Sequence, residues 1–425
     1  MDRNRYTLLL YLLFPVIWLY LFWRGFKDPR YRQNFKQRLG LFQSQVADDG
    51  VHIHCASMGE TLAAAPLINQ IVKNHPERSI TITSTTPTGK AEADKLIKKL
   101  NRSNIQHCYL PIDWPGACRR FIKNIRPKLT ILMETELWPN LLNQLSKQNV
   151  PILLANARLS KSSLTNYQKH PKLAQEIFSN ITWISAQYES DSINFQQLGA
   201  DKDQIDCLGN IKFDLQLDPE LIEQQQKLKL KWSSDRLSWI AASIHPAEFK
   251  LILNTHKKLL NIFPELLLIA VPRHPEGFNE LKKECQNAKL NFVSRSESIT
   301  PSKNENVLVG DSMGELLLMY GASDIAFVGG SLIARGGHNP IEPAVCGLPV
   351  IIGNSYYNFS DVCQKLQEQQ ALVIVKNEKE LYEELEQLLS NSQLLTARKN
   401  TAKKILKSNQ GALDRITSNI EKLIS

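Results

Sequence analysis

Carboxylates placed where an apolar run gives way to a helical pattern are the first candidates for chemistry in this chain. After VHIHC (51–55) come Ala56, Ser57, Met58, Gly59 and Glu60, and then an apolar helical stretch, so Glu60 falls at a strand-to-helix turn. A carboxylate there complements the positive end of the helix, and it is equally able to take a proton from a bound hydroxyl. After KLTILM (128–133) come Glu134, Thr135 and Glu136, again ahead of a helical stretch. Helix capping accounts for one of those two carboxylates and has no need of both.

The second half of the sequence offers groups for an anion. VGDSMGE (309–315) reads as strand, turn and helix, which points backbone N–H groups and a positive helix end at a phosphate. Gly329, Gly330, Gly336 and Gly337 put four of the 19 glycines into nine positions. Such clustering marks backbone that comes close to a ligand or takes φ > 0. Asn339-Pro340 starting a helix, with Glu342 one turn in, suits a nucleotide sugar: N–H groups for phosphate and a carboxylate for ribose hydroxyls. Arg273 and His274, after ELLLIAV (265–271), add cationic donors at the same edge. No GxxxxGK[ST] loop occurs, which argues against an ATPase of that class. The acidic pair in DxD spacing, Asp201 and Asp203, reads as a solvated loop and not as a metal site.

These residues need a scaffold that delivers strand ends to one edge. VHIHC, SITITST (79–85), QHCYL (106–110), KLTILM, PILLA (151–155) and TWISA (182–186) alternate with stretches of helical length. After a charged helical stretch at 219–231, a second set follows: SWIAAS (238–243), ELLLIAV, NVLVG (306–310), SDIAFVGG (323–330), PVII (349–352) and ALVIV (371–375). This alternation predicts two Rossmann-like α/β halves joined near 210–235, with ligands outside the carboxyl ends of the strands. The tail from about 378 reads as helix.

At 43% hydrophobic and 22% charged residues the composition is that of a globular protein, and 425 residues suggest two or three domains. Seven scattered cysteines with no CxxC spacing argue for reduced thiols over a zinc site or a disulfide framework. Of the net charge of +9, residues 1–40 carry +6, and no nucleic-acid module accompanies it. The basic residues instead collar an apolar run, Thr7 to Trp23, short for a membrane-spanning helix and interrupted by Pro15. Arg24, Lys27, Arg30, Arg32, Lys36 and Arg38 after the run, against Arg3 and Arg5 before it, place the body on the cytoplasmic side, with the run either crossing or lying in the interface. On this reading the body folds without residues 1–24.

SMGE (57–60), METELWPN (133–140), NARLS (156–160), GNIKFD (209–214), PRHPE (272–276), GDSMGE (310–315) and GGHNPIEPA (336–344) together resemble the 3-deoxy-D-manno-octulosonic acid (Kdo) transferases of lipopolysaccharide synthesis, in order along nearly the whole chain. ASIHPAE (242–248) stands where that family more often has a Ser/Thr-His-Glu run. The resemblance implies an α/β, GT-B glycosyltransferase with two Rossmann-like domains facing a cleft and an N-terminal membrane-anchor helix. The segments are then an anchor with its basic flank (1–30), an acceptor domain (31–212), a linker (213–235), a CMP-sugar domain (236–400) and terminal helices (401–425). It further implies an inverting transfer of Kdo from CMP-Kdo to a lipid A precursor (lipid IVA) at the bacterial inner membrane, with CMP-Kdo as co-substrate and no metal or other cofactor. Glu60 is then the general base, and Glu134 and Lys212 stabilise the transition state. Arg273, His274, Ser312, Met313, Gly314, Asn339, Pro340, Ile341 and Glu342 hold CMP. Against this stand two other readings: a GT-B epimerase or a transferase with a different donor, and a catalytically silent, membrane-tethered nucleotide-sugar binder.

Overall fold

The computed structural model describes residues 1–215, 217–233 and 235–424. It contains two compact units, one built from Met1–Asp214 together with the stretch from Gln410, the other from Leu215–Asn409. The first holds strands β1 (Val51–His54), β2 (Ile80–Ser84), β3 (Ile105–Tyr109), β4 (Leu129–Met133), β5 (Ile152–Ala157), β6 (Trp183–Ala186) and β7 (Ile205–Cys207). All are parallel, in the order β3-β2-β1-β4-β5-β6-β7. The second holds β8 (Ser238–Ile244), β9 (Leu267–Pro272), β10 (Phe292–Ser294), β11 (Val307–Val309), β12 (Ile325–Val328), β13 (Val350–Gly353) and β14 (Leu372–Val375). These are parallel too, in the order β10-β11-β9-β8-β12-β13-β14.

Each of the twelve apolar runs is a strand. The two strands absent from the sequence reading, β7 (IDC) and β10 (FVS), are three-residue strands at sheet edges, where cover on one side suffices and no all-apolar run is required. In both sheets the strand order reverses beside the first strand, between β1 and β4 and between β8 and β12. Crevices form at such switch points, outside the carboxyl ends of the strands.

Each sheet is buried on both faces. In the first unit Ile53, Ile131 and Leu153 point into one apolar cluster, and Leu132 and Leu154, one residue out of phase, into the other. The final helix, Ala412–Ile424, lays Ile416, Ile420 and Ile424 into the first of these clusters, each side chain adding about 1.5–3 kcal/mol. Asp214 accepts from the backbone N–H groups of Gly411 and Leu413 and so fixes the start of that helix. The stretch grouped as terminal helices, 401–425, is divided between the units, helix Ser392–Asn409 going with the second unit and Ala412–Ile424 with the first. Most of the stretch expected as a linker is a helix, Pro219–Ser233, whose Gln225 Nε2 donates to Leu317 O within the second unit.

The apolar N-terminal run is not one helix. It forms α1 (Arg3–Leu12) and α2 (Phe14–Lys27), bent by 52° where Pro15 removes a backbone donor and crowds the preceding turn. Among the described residues no single helix is long and apolar enough to cross a membrane. Nor is the pair detached from the first unit. Arg3 pairs with Glu176 at 2.5 Å, Thr7 Oγ1 donates to Asn140 Oδ1 at 3.0 Å, and Tyr11 stacks on Trp114 with ring centroids 5.5 Å apart. Leu8, Leu9, Leu12, Val16, Leu19 and Phe22 remain exposed.

Candidate active site

In the first unit the switch point between β1 and β4 gathers the carboxylates. Ser57 caps helix α3 (Met58–Asn74), its Oγ accepting from the N–H of Glu60, the third residue of the helix. Ser57 Oγ donates to Glu60 Oε1 at 2.9 Å and the Ala56 N–H donates to Glu60 Oε2 at 2.8 Å. Those two bonds favour the anion, yet burial and the neighbouring charges of Glu136 and Glu134 outweigh them and raise the Glu60 pKa to about 7. A carboxylate with that proton affinity is poised to act as a base near neutral pH.

Glu134 leaves β4 with φ of 56°, in the left-handed region, its N–H still bonded to Ala155 O. A non-glycine residue held there is strained, and such strain collects at functional sites. Lys212, on the turn Ile211–Asp214, donates its ammonium to Glu134 Oε1 at 2.8 Å. Asn156, also at positive φ and buried, positions that turn: its Oδ1 accepts from the Ile211 N–H at 3.0 Å. Glu60, Glu134 and Lys212 thus converge, and with them comes Glu136, the second carboxylate of METE, a residue for which the sequence pattern indicates no role. A pocket of about 470 Å³ opens beside Thr135 and Glu136, with Leu137, Trp138, Tyr167 and Ile177 among its walls and Tyr6 of α1 closing one side.

In the second unit the switch point is held by one carboxylate. Glu248, fully buried, accepts four N–H bonds, from His245 and Gly330 on Oε2 and from Ser331 and Leu332 on Oε1. It therefore ties the end of β8 to the loop after β12, a role legible only as the last residue of ASIHPAE. Gly329 and Gly330 are required there: a Cβ on Gly329 would meet Ile244 Cα at 2.7 Å, and Gly330 has φ of 69°.

Above that loop His245 stacks on His338, Nε2 to Nε2 at 3.2 Å, and His274 stands edge-on to His245. Burial and the Arg273 cation lower the His338 pKa to about 4, so its imidazole is neutral at pH 7. Burial raises the Glu342 pKa, against the opposing pull of Asn339 and Arg273. Arg273, His274, Asn339 and Glu342 thus share one neighbourhood. Asn339 Oδ1 accepts from the Ile341 N–H and its Nδ2 donates to Glu342 Oε1, across Pro340.

Ser312 to Gly314 make a different structure from the expected helix end. Ser312 Oγ donates to Glu315, which pairs with Arg295 at 2.8 Å; Met313 is 62% exposed, and Gly314 has φ of 83° with open space where a Cβ would lie. The helices that follow this loop and Pro340, Leu316–Gly321 and Ile341–Val345, are only six and five residues long, so their anion-attracting dipoles are those of a turn or so of helix. Asp201 and Asp203 lie in an exposed turn, where Asp201 accepts from the Asp203 N–H. Among the described residues no group of three or more His, Cys, Asp or Glu side chains is arranged to hold a metal ion.

A family model described as 3-deoxy-D-manno-octulosonic-acid transferase matches residues 33–215, and one described as group 1 glycosyl transferases matches residues 260–405. The chain is 42% identical over 419 residues to a 3-deoxy-D-manno-octulosonic acid transferase of Haemophilus influenzae, covering 98% of this chain and 97% of that protein. It is 33% identical to the enzyme of the same name from Bordetella pertussis over 86% of each chain. In fold it resembles a UDP-GlcNAc 2-epimerase of Neisseria meningitidis, with a TM-score of 0.56 at 15% identity, over 88% of this chain and all of that one. It also resembles a glycosyltransferase from Rickettsia africae, with a TM-score of 0.53 at 14% identity, over 89% of this chain and 98% of that one.

Proposed function

The chain belongs to the 3-deoxy-D-manno-octulosonic acid transferase family, a family of glycosyltransferases, and from that premise we propose that it transfers Kdo from CMP-Kdo to a lipid A precursor, with inversion, in lipopolysaccharide synthesis. The observation that carries the mechanism is Glu60: a carboxylate at the switch point of the first unit with a pKa of about 7. It takes the proton from the acceptor sugar hydroxyl as that oxygen attacks the anomeric carbon and CMP departs. One carboxylate suffices for a single inverting displacement. Lys212, oriented by Glu134, supplies positive charge for the Kdo carboxylate and the charge developing on the leaving phosphate.

In the second unit Arg273 and His274 take the CMP phosphate, Asn339 and Glu342 take the ribose hydroxyls, and the backbone from Ser312 to Gly314 and at Pro340–Ile341 completes the nucleotide site. Neutral His338 offers a hydrogen bond without a competing cation. These residues supply base, charge and donors between them, and the reaction requires no metal on this reading.

A lipid acceptor suits the first unit. The pocket beside Glu136, with apolar walls, offers room for hydrocarbon in the unit that holds the base. The exposed apolar faces of α1 and α2, flanked by Arg24, Arg30 and Arg32, suit an interfacial seat on the cytoplasmic leaflet. Mass spectrometry of the product formed from CMP-Kdo and a tetra-acylated lipid A precursor tests the reading. A mass gain of one or more Kdo residues, with release of CMP and undiminished by chelator, is expected. Absence of a Kdo adduct from a folded, CMP-binding enzyme overturns it.

A further inference from the structure

Beneath the carboxylates of the first unit lies a chain of buried polar side chains that the mechanism above leaves unused. His54, the last residue of β1, is fully buried, and its Nδ1 is 2.9 Å from Thr83 Oγ1. The same hydroxyl is 2.9 Å from His52 Nε2, and His52 Nδ1 is 3.4 Å from Thr130 Oγ1. At the other end His54 Nε2 has no hydrogen-bond partner and faces Glu136 Oε2 at 3.7 Å. Buried polar atoms without partners are rare enough to require an explanation.

A hydroxyl has one proton to donate, so Thr83 gives it to one histidine and accepts from the other. If it donates to His52, His54 must carry its proton on Nδ1, and the lone pair of Nε2 then faces a carboxylate. If it donates to His54 Nδ1, the His54 proton sits on Nε2 and points at Glu136. His52 then donates from Nε2 to Thr83, and Thr130 donates to His52 Nδ1. Of these two neutral arrangements only the second avoids repulsion at Glu136, because it turns an N–H and not a lone pair toward the carboxylate. Burial holds His52 neutral, with a pKa of about 3, so His52 carries no competing charge.

We propose that His54 is a positioning residue: its Nε2–H, held in that tautomer by Thr83, His52 and Thr130, faces the Glu136 carboxylate and orients it beside Glu60, so that Glu60 retains its strength as a proton acceptor. Other titratable and charged groups stand near Glu136, Arg158 among them, whose carbonyl accepts from Thr135 Oγ1. Glu60 and Glu134 are acidic, the Lys212 ammonium is paired with Glu134, the Cys55 and Tyr167 protons are held by burial and neighbouring acids, and His170 lines the adjoining pocket.

The proposal rests on Glu60 as the base, and two measurements on the full chain separate the ideas. Ring ¹⁵N shifts read the His54 tautomer without any turnover: the Nε2–H form is expected, and an Nδ1–H form overturns the proposal whatever Glu60 does. The second is kcat/KM against pH. His54→Leu and Glu136→Gln should each move the acidic limb down by roughly 0.5–1 unit, the effect of losing a neighbouring negative charge. Thr83→Val should move it in the same direction by less. His54→Gln, which returns an N–H near the Nε2 position, should restore the limb. Rate losses with an unmoved limb in His54→Leu, Glu136→Gln and Thr83→Val would leave His54 a purely structural residue and overturn the proposal.

Discussion

The Lys212 ammonium is 2.8 Å from Glu134 Oε1, a contact between residues 78 apart in sequence that joins the end of β4 to the turn before Asp214. Both side chains are about one-fifth exposed, so the pair is shielded from water without being sealed from substrate. Glu134 orients the cation while sitting at positive φ. Replacing either partner leaves the other charge poorly solvated, and the two should behave as a unit. Lys212→Ala is expected to lower turnover by about 10²–10³-fold, the scale of one lost electrostatic stabiliser. Adding Glu134→Gln should cost less than the product of the separate effects. A double-mutant cycle on kcat measures the coupling; strict additivity would separate the residues.

Glu60→Gln preserves the shape and most of the helix cap, because glutamine serves at the same capping position. Turnover should fall by about 10²–10⁴-fold, with CMP affinity near that of the parent. Single-turnover kinetics beside isothermal titration of CMP checks both. Near-parental turnover would remove Glu60 from the mechanism.

The sign of the pH dependence follows from the raised Glu60 pKa. The carboxylate works as a base only when ionised, so kcat/KM should hold above about pH 7 and fall as the pH drops through that value. Stability runs the other way. Burial disfavours the anion, so the Glu60 contribution to stability declines as pH rises from the ordinary carboxylate range through about 7. Thermal melts should therefore find Glu60→Gln at least as stable as the parent at pH 8. A variant with a lower Tm at pH 8 would show that the cap outweighs burial.

In the nucleotide half, Glu342→Ala should weaken CMP by roughly 1.5–3 kcal/mol, the scale of a hydrogen bond to a charged group. Arg273→Ala should reduce both binding and turnover. Ser312→Ala should be mild, since the backbone N–H remains. Gly314→Val should be severe through backbone strain alone, because φ is 83° and the space around it is open. Titration of CMP into the four variants, with and without chelator, decides. Unchanged affinity in both Glu342→Ala and Gly314→Val would move the nucleotide elsewhere, and chelator-sensitive affinity would reopen the question of a metal.

Deleting residues 1–24 removes the partners of Glu176, Asn140 and Trp114, so the truncated protein should melt several degrees below the full chain. Leu8→Ser, Leu12→Ser and Leu19→Ser together alter only exposed apolar side chains and should spare the melt while reducing sedimentation with anionic vesicles. An unchanged melt for the truncation would return the segment to a simple tether. Unchanged sedimentation of the triple variant would place the lipid contact elsewhere.

Twelve of the fourteen strands are visible in the amino-acid sequence because parallel strands buried on both faces favour apolar runs such as IAFV and LLIAVP. The strand-to-turn positions of Glu60, Glu134, Arg273 and the glycine cluster are visible for the same reason, being the residues that follow those runs. Order within a sheet is not carried by any run. It depends on which strands pair, and that alone makes β1 and β4 neighbours and sets Glu136 against His54. The edge strands β7 and β10 were likewise decided by context, since an edge needs little hydrophobicity, whereas the bend of the N-terminal run is marked in the sequence by Pro15. The chemical partnerships, Lys212 with Glu134, Glu248 with four N–H groups and the tautomer of His54, exist only in the tertiary structure. Hydrogen bonds depend on distances between atoms, and residues 78 or 82 apart in sequence acquire those distances only when the chain has folded.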